Sequence, residues 1–585
     1  MRSKQLDSSG KKAFHPVFSL GLFAAVLLGV GYVPAGWSQT SSDDELLRQQ
    51  ERERQLRQQQ ETTPDIRIPR SEFPSLSPGP AQETPCFVIS RIILEGERAD
   101  LFRFGLQEVT EGEFSLLGRC LGTQGINAAL ANIQNAIVAR GYVTSRVLAT
   151  PQDLSGGELK LTVIPGKVRE IRFAGELRGE GAQENALPLK SGDILNLRDI
   201  EQALENLKRS PSSDADIQIA PANAEGAAPG ESDLLIKYKQ GFPLRLTLTA
   251  DDGGSKFTGK YQGSATLSVD NPLGINDLFY VSANRDLGGG ETGERATRGH
   301  SAHYSFPLGY WLIGANYSRH RYHQAVAGLN QTYIYGGISQ TQDIKLTRLM
   351  YRDANRKTSA SLRGFLRSSQ NFIDDTEIEV QRRRTAGWEA AVTHRHFIGQ
   401  SVVDSNLAFR RGTGALDALH APEEALGEGT SRMKVLNLDL NLQAPFDWSA
   451  PWGRQRVRYA ANLRGQRNYT PLTPQDRFSI GSRYTVRGFD GELMLSAERG
   501  WLIRNDLGLS MGQSGQEIYL GLDYGRVGGR TADLLPGTGL SGAVVGWRGQ
   551  IGQVNYDFFT GTPMHKPDGF RTSKRVAGFN LLWSY

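Results

Sequence analysis

From residue 241 to residue 585 the chain alternates. In Leu244-Arg245-Leu246-Thr247-Leu248-Thr249-Ala250-Asp251 nearly every second side chain is apolar and those between are polar. The same holds for Trp311/Ile313/Ala315/Tyr317, Leu436/Leu438/Leu440/Leu442, Val457/Tyr459/Ala461/Leu463 and Ile518/Leu520/Leu522/Tyr524. Period two belongs to a strand whose two faces see different surroundings. A soluble sandwich also alternates, but its apolar faces meet in a core of bulky residues. Here the polar face carries many Arg, Asp and Asn, and aromatics gather at segment ends. That is the pattern of strands with lipid outside and water inside. Shared among 16 strands, the roughly 345 residues give about 22 each, ten to span and about twelve to connect. Twenty-two strands would leave too little for connections. The expected fold is mainly β, a 16-stranded transmembrane β-barrel over residues 241–585, wide enough to enclose an aqueous channel.

The rest of the chain is consistent with export. Glycine is 67 of 585 residues, about 11% against a usual ~7%, as turn-rich β proteins require. Mean hydropathy is −0.41, which argues against a bundle of membrane helices. Residues 1–38 hold Arg2, Lys4, Lys11 and Lys12, then an apolar run over 17–33, then small residues including Gly36 and Ser38. This order predicts a signal peptide cleaved after Ser38, with an uncleaved membrane anchor as the competing reading. Removing it takes the formal charge from +5 to about +2, so net charge gives no support to nucleic-acid binding. Cys86 and Cys120 are expected to form a disulfide, since an exported pair within one small domain is more often bridged than free.

Residues 39–61 include SSDDELLRQQERERQLRQQQE, with capping-box spacing between Ser42 and Glu45 and acids leading arginines. Leu46, Leu47 and Leu56 are too few for a core-facing stripe, so the helix either stands in water or is a disordered polar tail. About 19 helical residues span roughly 28 Å, close to the thickness of a bilayer's hydrocarbon core, which suits the inside of a pore. Residues 62–85 carry Pro64, Pro69, Pro74, Pro78, Pro80 and Pro85 and read as an extended tether. Residues 86–166 and 167–240 repeat one pattern. Arg91-Ile92-Ile93-Leu94-Glu95-Gly96 matches Glu170-Ile171-Arg172-Phe173-Ala174-Gly175. Helix-period segments follow, with Ile126, Leu130, Ile133 and Ile137 on one face, then Leu197, Ile200, Leu204 and Leu207. Each unit closes on an alternating strand, so a β-α-α-β-β module occurs twice.

Val486-Arg487-Gly488-Phe489 lies in a long loop after Phe478-Ser479-Ile480-Gly481, and Gly521-Leu522-Asp523 lies on a strand. Leu520, Leu522 and Tyr524 share the apolar face, so Asp523 points into the lumen. An inward carboxylate needs a partner, and Arg487 supplies one if its loop folds inward; the bland alternative leaves Arg487 in a solvated turn. With these motifs in this order the sequence resembles the two-partner secretion outer-membrane transporters (TpsB type), similar to the filamentous-haemagglutinin and haemolysin exporters. Gly141-Tyr142 with Pro151-Gln152-Asp153-Leu154, and Asp270-Asn271-Pro272-Leu273-Gly274, add to the likeness. The resemblance implies two periplasmic POTRA domains (86–166 and 167–240) and a plug helix. It also implies a loop-to-barrel lock made by Arg487 and Asp523, and export of a large partner protein recognised through its N-terminal secretion domain. The closing alternation Ala577/Phe579/Leu581/Trp583/Tyr585 resembles the terminal signal read by barrel-assembly machinery in Gram-negative outer membranes.

An insertase that assembles other barrels is the alternative, but it typically carries more POTRA domains and no plug helix. A passive porin needs no POTRA domains. Enzyme signatures such as HExxH or a Walker motif do not occur, and no cofactor or metal is expected. In His320-Arg321-Tyr322-His323 and His394-Arg395-His396 alternation puts neighbours on opposite barrel faces or in loops, and solvated loop residues are expected rather than a metal site.

Overall fold

The computed structural model describes residues 42–61, 64–68, 83–111, 115–174, 184–222, 228–451, 453–512 and 514–585. The signal-peptide expectation lies outside them, as does most of the proline-rich tether.

Sixteen long strands close into one antiparallel barrel, with the two-residue strand Thr376–Glu377 added to one hairpin. The first strand, Leu244–Asp251, pairs with the last, Val576–Ser584, from Asn580 opposite Asp251 to Ser584 opposite Thr247. The alternation read from the sequence is the one observed. Along Glu517–Gly528, Ile518, Leu520, Leu522 and Tyr524 are exposed on the outer face, whereas Tyr519, Gly521, Asp523 and Gly525 are buried. Residue 240 ends the preceding domain with three residues between it and the barrel's first strand, so the short turns lie on that side and the long loops opposite.

Two small domains precede the barrel. In the first, Arg91–Gly96 pairs in parallel with Glu158–Ile164, which pairs antiparallel with Arg146–Leu148. Helices Phe104–Thr110 and Thr123–Ala139 cover this sheet, and Ile133, Ile137, Leu159 and Leu161 are wholly buried between them. Cys86 and Cys120 are disulfide-bonded, beside the short pairing of Phe87–Val88 with Cys120–Leu121. The second domain repeats the sheet with Lys167–Ala174, Glu231–Gln240 and Ser213–Pro221. Its helix Leu197–Leu207 buries Leu197, Ile200, Leu204 and Leu207, each contributing about 1.5–3 kcal/mol. Asn196 caps that helix through the Arg198 N–H at 2.9 Å. Where a first helix was expected, the described residues hold the 3₁₀ turn Glu184–Ala186, and residues 175–183 lie outside them.

Candidate functional site: the occupied pore and its inward loop

Helix Ser42–Gln60 lies inside the barrel, and its polar surface is matched to the wall. Arg54 donates to Asp439 at 3.0 and 3.2 Å, and Arg464 donates to Glu51 at 3.1 Å. His320 Nε2 lies 2.8 Å from Glu53 Oε1. Arg52 donates to Gln262 at 2.9 Å, and Tyr280 donates to Glu61 at 3.1 Å. Glu45 accepts from Thr258 at 3.1 Å, and Arg48 donates to the Gly491 carbonyl in the long loop. The helix therefore runs from the long-loop side, near Glu45, to the short-turn side, near Gln60. A helix polar all round is stable here because the wall supplies partners on every side. The expectation of solvated loop histidines is corrected: His320 and His323 sit on strand Trp311–Ala327, and His394 and His396 on Arg383–Ile398. His320 is buried against the helix rather than exposed.

Between strands Gly453–Asn468 and Arg499–Ser510 the chain makes its long loop, stiffened by the hairpin of Phe478–Ile480 with Leu495–Ala497. The loop folds into the lumen. Val486 and Phe489 pack with Ile480, Leu495, Leu502, Val527, Leu540 and Phe570, an apolar cluster inside an otherwise polar channel. That cluster places Arg487 over the wall. Its Nε donates to Asp523 Oδ2 at 2.7 Å, its Nη2 to Asp523 Oδ1 at 2.8 Å, and its backbone N–H to Asp523 Oδ2 at 2.9 Å. Nη2 also reaches Asp506 Oδ1 at 2.6 Å. The side chains of Arg487 and Asp523 are 5% and 1% exposed, so the pair is out of water on both sides. Two glycines make room. A Cβ on Gly521 would stand 2.6 Å from Arg487 Nη2, which explains the glycine two residues before Asp523. Gly488 has φ of +94°, and a Cβ there would stand 2.6 Å from the Thr562 carbonyl oxygen.

The second small domain docks on the short turns. Arg352 donates to Glu201 at 3.0 Å and Glu205 at 2.9 Å, two acids one helical turn apart and almost wholly buried. Those same acids accept the backbone N–H groups of Ile68 and Ile66, at 2.9 and 3.2 Å. Arg209 donates to the Ser305 carbonyl at 3.0 Å, and Asn206 to that of Gly309 at 2.8 Å. Sequence reasoning found Val486, Arg487, Gly488, Phe489, Gly521 and Asp523, and the structure brings them together. It missed Asp506, which the same alternation places inward beside outward Leu507, and it missed the Glu201–Glu205–Arg352 cluster. Two acids at i and i+4 on the buried side of a helix were the available signal for that cluster.

A sixteen-stranded barrel, two small α+β domains at its short-turn end and a helix in its pore define a POTRA-bearing outer-membrane transporter. Residues 230–549 match the family described as haemolysin secretion/activation protein ShlB/FhaC/HecB. Residues 87–166 match the ShlB-type POTRA domain, and 167–221 a POTRA domain. The chain is 39% identical over 554 residues to the outer membrane transporter CdiB-2 of Burkholderia pseudomallei strain 1026b, covering 91% of this chain and 92% of that one. It is 26% identical over 464 residues to the hemolysin transporter protein ShlB of Serratia marcescens, covering 77% of each. The solved structure of CdiB from Acinetobacter baumannii superposes with a TM-score of 0.81 at 31% identity, over 94% of this chain and 100% of that one. The chain belongs to the ShlB/FhaC/HecB family of two-partner secretion transporters. It is an outer-membrane protein with its POTRA domains in the periplasm.

Proposed function

We infer that this transporter takes a large partner protein from the periplasm and passes it through the barrel to the cell surface. The observation that carries the reading is the pore's occupant. A polar helix held by hydrogen bonds and ion pairs, with no apolar core of its own, can leave without unfolding the barrel. The POTRA domains below supply the entry. Their sheet edges offer main-chain hydrogen bonds to an extended segment of the partner's N-terminal secretion domain, a β-augmentation. The sequence carries no nucleotide-binding motif, so binding and folding of the cargo outside would drive movement. The Arg487–Asp523 lock would keep the long loop fixed to the wall while the pore is in use. Two further partners follow from the architecture: outer-membrane lipid around the apolar outer face, and the barrel-assembly machinery, which would read the terminal strand Val576–Ser584 and Tyr585 during biogenesis. Two POTRA domains and a pore helix favour export over the insertase reading. The test is co-expression with the large exported protein of the neighbouring reading frame. Surface display or release of that protein should require this chain, and its undiminished appearance without the chain would refute the assignment.

A further inference from the structure

The outer wall carries a block of arginines where a lipid-facing surface should be apolar or aromatic. Strands Leu278–Asp286, Arg295–Leu308 and Trp311–Ala327 are adjacent. Their register sets Arg285 opposite Arg298, and Arg298 opposite Arg321, in one continuous row. All three side chains are exposed and alternate with lumen-facing neighbours such as Ser282 and Tyr322, so they lie on the outside. One row lower stand Ala283, His300 and Arg319, and below that Val281, Ala302 and Tyr317. The wall is thus free of charge up to Tyr317, then turns cationic within two residues. The flanking strands contribute Gly263 and Ile338 to the upper row, and Ala265 and Gln340 to the lower. Among the described residues, neither row contains a carboxylate.

Height places this block at the outer surface of the membrane. Trp311 begins its strand on the POTRA side, with Arg348 over its ring at 5.2 Å, as expected at the inner interface. Ten residues separate Trp311 from Arg321, about 34 Å of strand. A tilt of about 40° turns that into about 26 Å of height, matching an apolar band of roughly 25 Å. Arginines at this level do not bear the full cost of burial in hydrocarbon. They do repel one another, because like charges directly opposite on neighbouring strands are destabilising. Three such residues in line, with a fourth on the diagonal, call for a counter-anion held from outside.

We propose that Arg285, Arg298 and Arg321, with Arg319 beneath them, form a binding site for the phosphate groups of a phosphorylated glycolipid of the outer leaflet. The guanidinium fork matches phosphate oxygens bidentately, and neighbouring forks span more than one phosphate. The apolar rows below, from Val281 to Tyr317, receive the acyl chains of the same molecule. This deepens the outer-membrane lipid partnership proposed above and rests on that placement, but it is read by lipid retention rather than by secretion.

The test is native mass spectrometry of the full-length protein released from outer membranes. The wild type should retain phosphorylated lipopolysaccharide, and R285Q/R298Q/R321Q should retain roughly tenfold less, a loss of about 1.4 kcal/mol. Lipopolysaccharide stripped of its phosphates should bind both proteins equally weakly, and millimolar inorganic phosphate should not displace the intact lipid from the wild type. Equal retention by wild type and triple variant would overturn the proposal. So would undiminished binding of the phosphate-free lipid, or displacement by inorganic phosphate, which would assign the row to a free anion. If the triple variant loses heat-modifiability, R298Q alone and the phosphate-free lipid on the wild type decide the matter. Secretion by these variants is expected to be unchanged at saturating lipid, which separates failure here from failure of the export reading.

Discussion

Arg487→Ala removes the hub of the inward loop. Its guanidinium makes three side-chain hydrogen bonds, two to Asp523 and one to Asp506. After truncation Asp506 still has Arg548 at 3.1 Å, but among the described residues Asp523 retains only the backbone N–H of residue 487 and Arg504 at 3.9 Å. Deleting one partner of a buried ion pair costs about 3–5 kcal/mol, because the other charge stays out of water. At 1.4 kcal/mol per power of ten, the equilibrium moves by roughly two to three and a half powers of ten towards a displaced loop. Asp523→Ala should cost less, about 1.5–3 kcal/mol, since Arg487 keeps Asp506 at 2.6 Å. The apolar cluster around Val486 and Phe489 is untouched by either change, so the barrel should remain heat-modifiable. Loop displacement is read by maleimide labelling of a cysteine placed at buried Ser482, in a protein whose own two cysteines are bonded to each other. Labelling should accelerate by two orders of magnitude or more in Arg487→Ala, less in Asp523→Ala, and by less than the summed effects in the double variant. Secretion of the partner should fall in the same order. Unchanged labelling in Arg487→Ala, or strict additivity in the double variant, would refute the lock.

Three further outcomes are expected. Deleting residues 41–61 should raise ion conductance in planar bilayers, and unchanged conductance would mean that the inward loop alone closes the channel. Full-length protein should bind the unfolded N-terminal domain of its partner in the micromolar range, about −8 kcal/mol, and bind the folded domain much less, because folded strands have their edges occupied; equal affinities by calorimetry would contradict this. Burial pushes Asp199 of the second POTRA domain up to about 6, against the pull of the Tyr310 hydroxyl that donates to it from a barrel turn, while nearby Asp193 adds to the rise. Between about pH 4 and 6 its carboxyl therefore takes up a proton as the domain docks, so docking is strongest below about pH 4 and weakens by up to about 3 kcal/mol as pH rises through 6. Hydrogen exchange at the POTRA–barrel junction should show that trend in the wild type and lose it in Asp199→Asn.

The barrel was legible because period two leaves its mark on every strand: Leu520, Leu522 and Tyr524 outward place Asp523 inward with no further information. The loop lock was legible for the same reason, together with the glycines that flank Arg487. The helix in the pore was legible as a polar rod of the right length, but its partners were not, since Glu51, Glu53 and Arg54 meet Arg464, His320 and Asp439 from strands hundreds of residues away. The histidines were misread on local grounds. His320 and Arg321 are neighbours on one strand, so one faces the helix and the other the lipid, and the parity of Trp311, Ile313, Ala315 and Tyr317 carried along that strand puts His320 inward. The second POTRA module was legible as a repeat of the first module's sheet and of the helix carrying Leu197, Ile200, Leu204 and Leu207. The arginine row was invisible along the sequence: Arg285, Arg298 and Arg321 become one feature only when three strands are aligned.

The most direct test of export through the pore is to arrest the partner protein in transit and ask which wall it touches. A photo-crosslinking residue at Asn437, facing the lumen on strand Lys434–Ala450, should capture the stalled chain, and one at Leu438, facing the lipid, should not. Capture from Leu438 with none from Asn437 would contradict passage through the barrel.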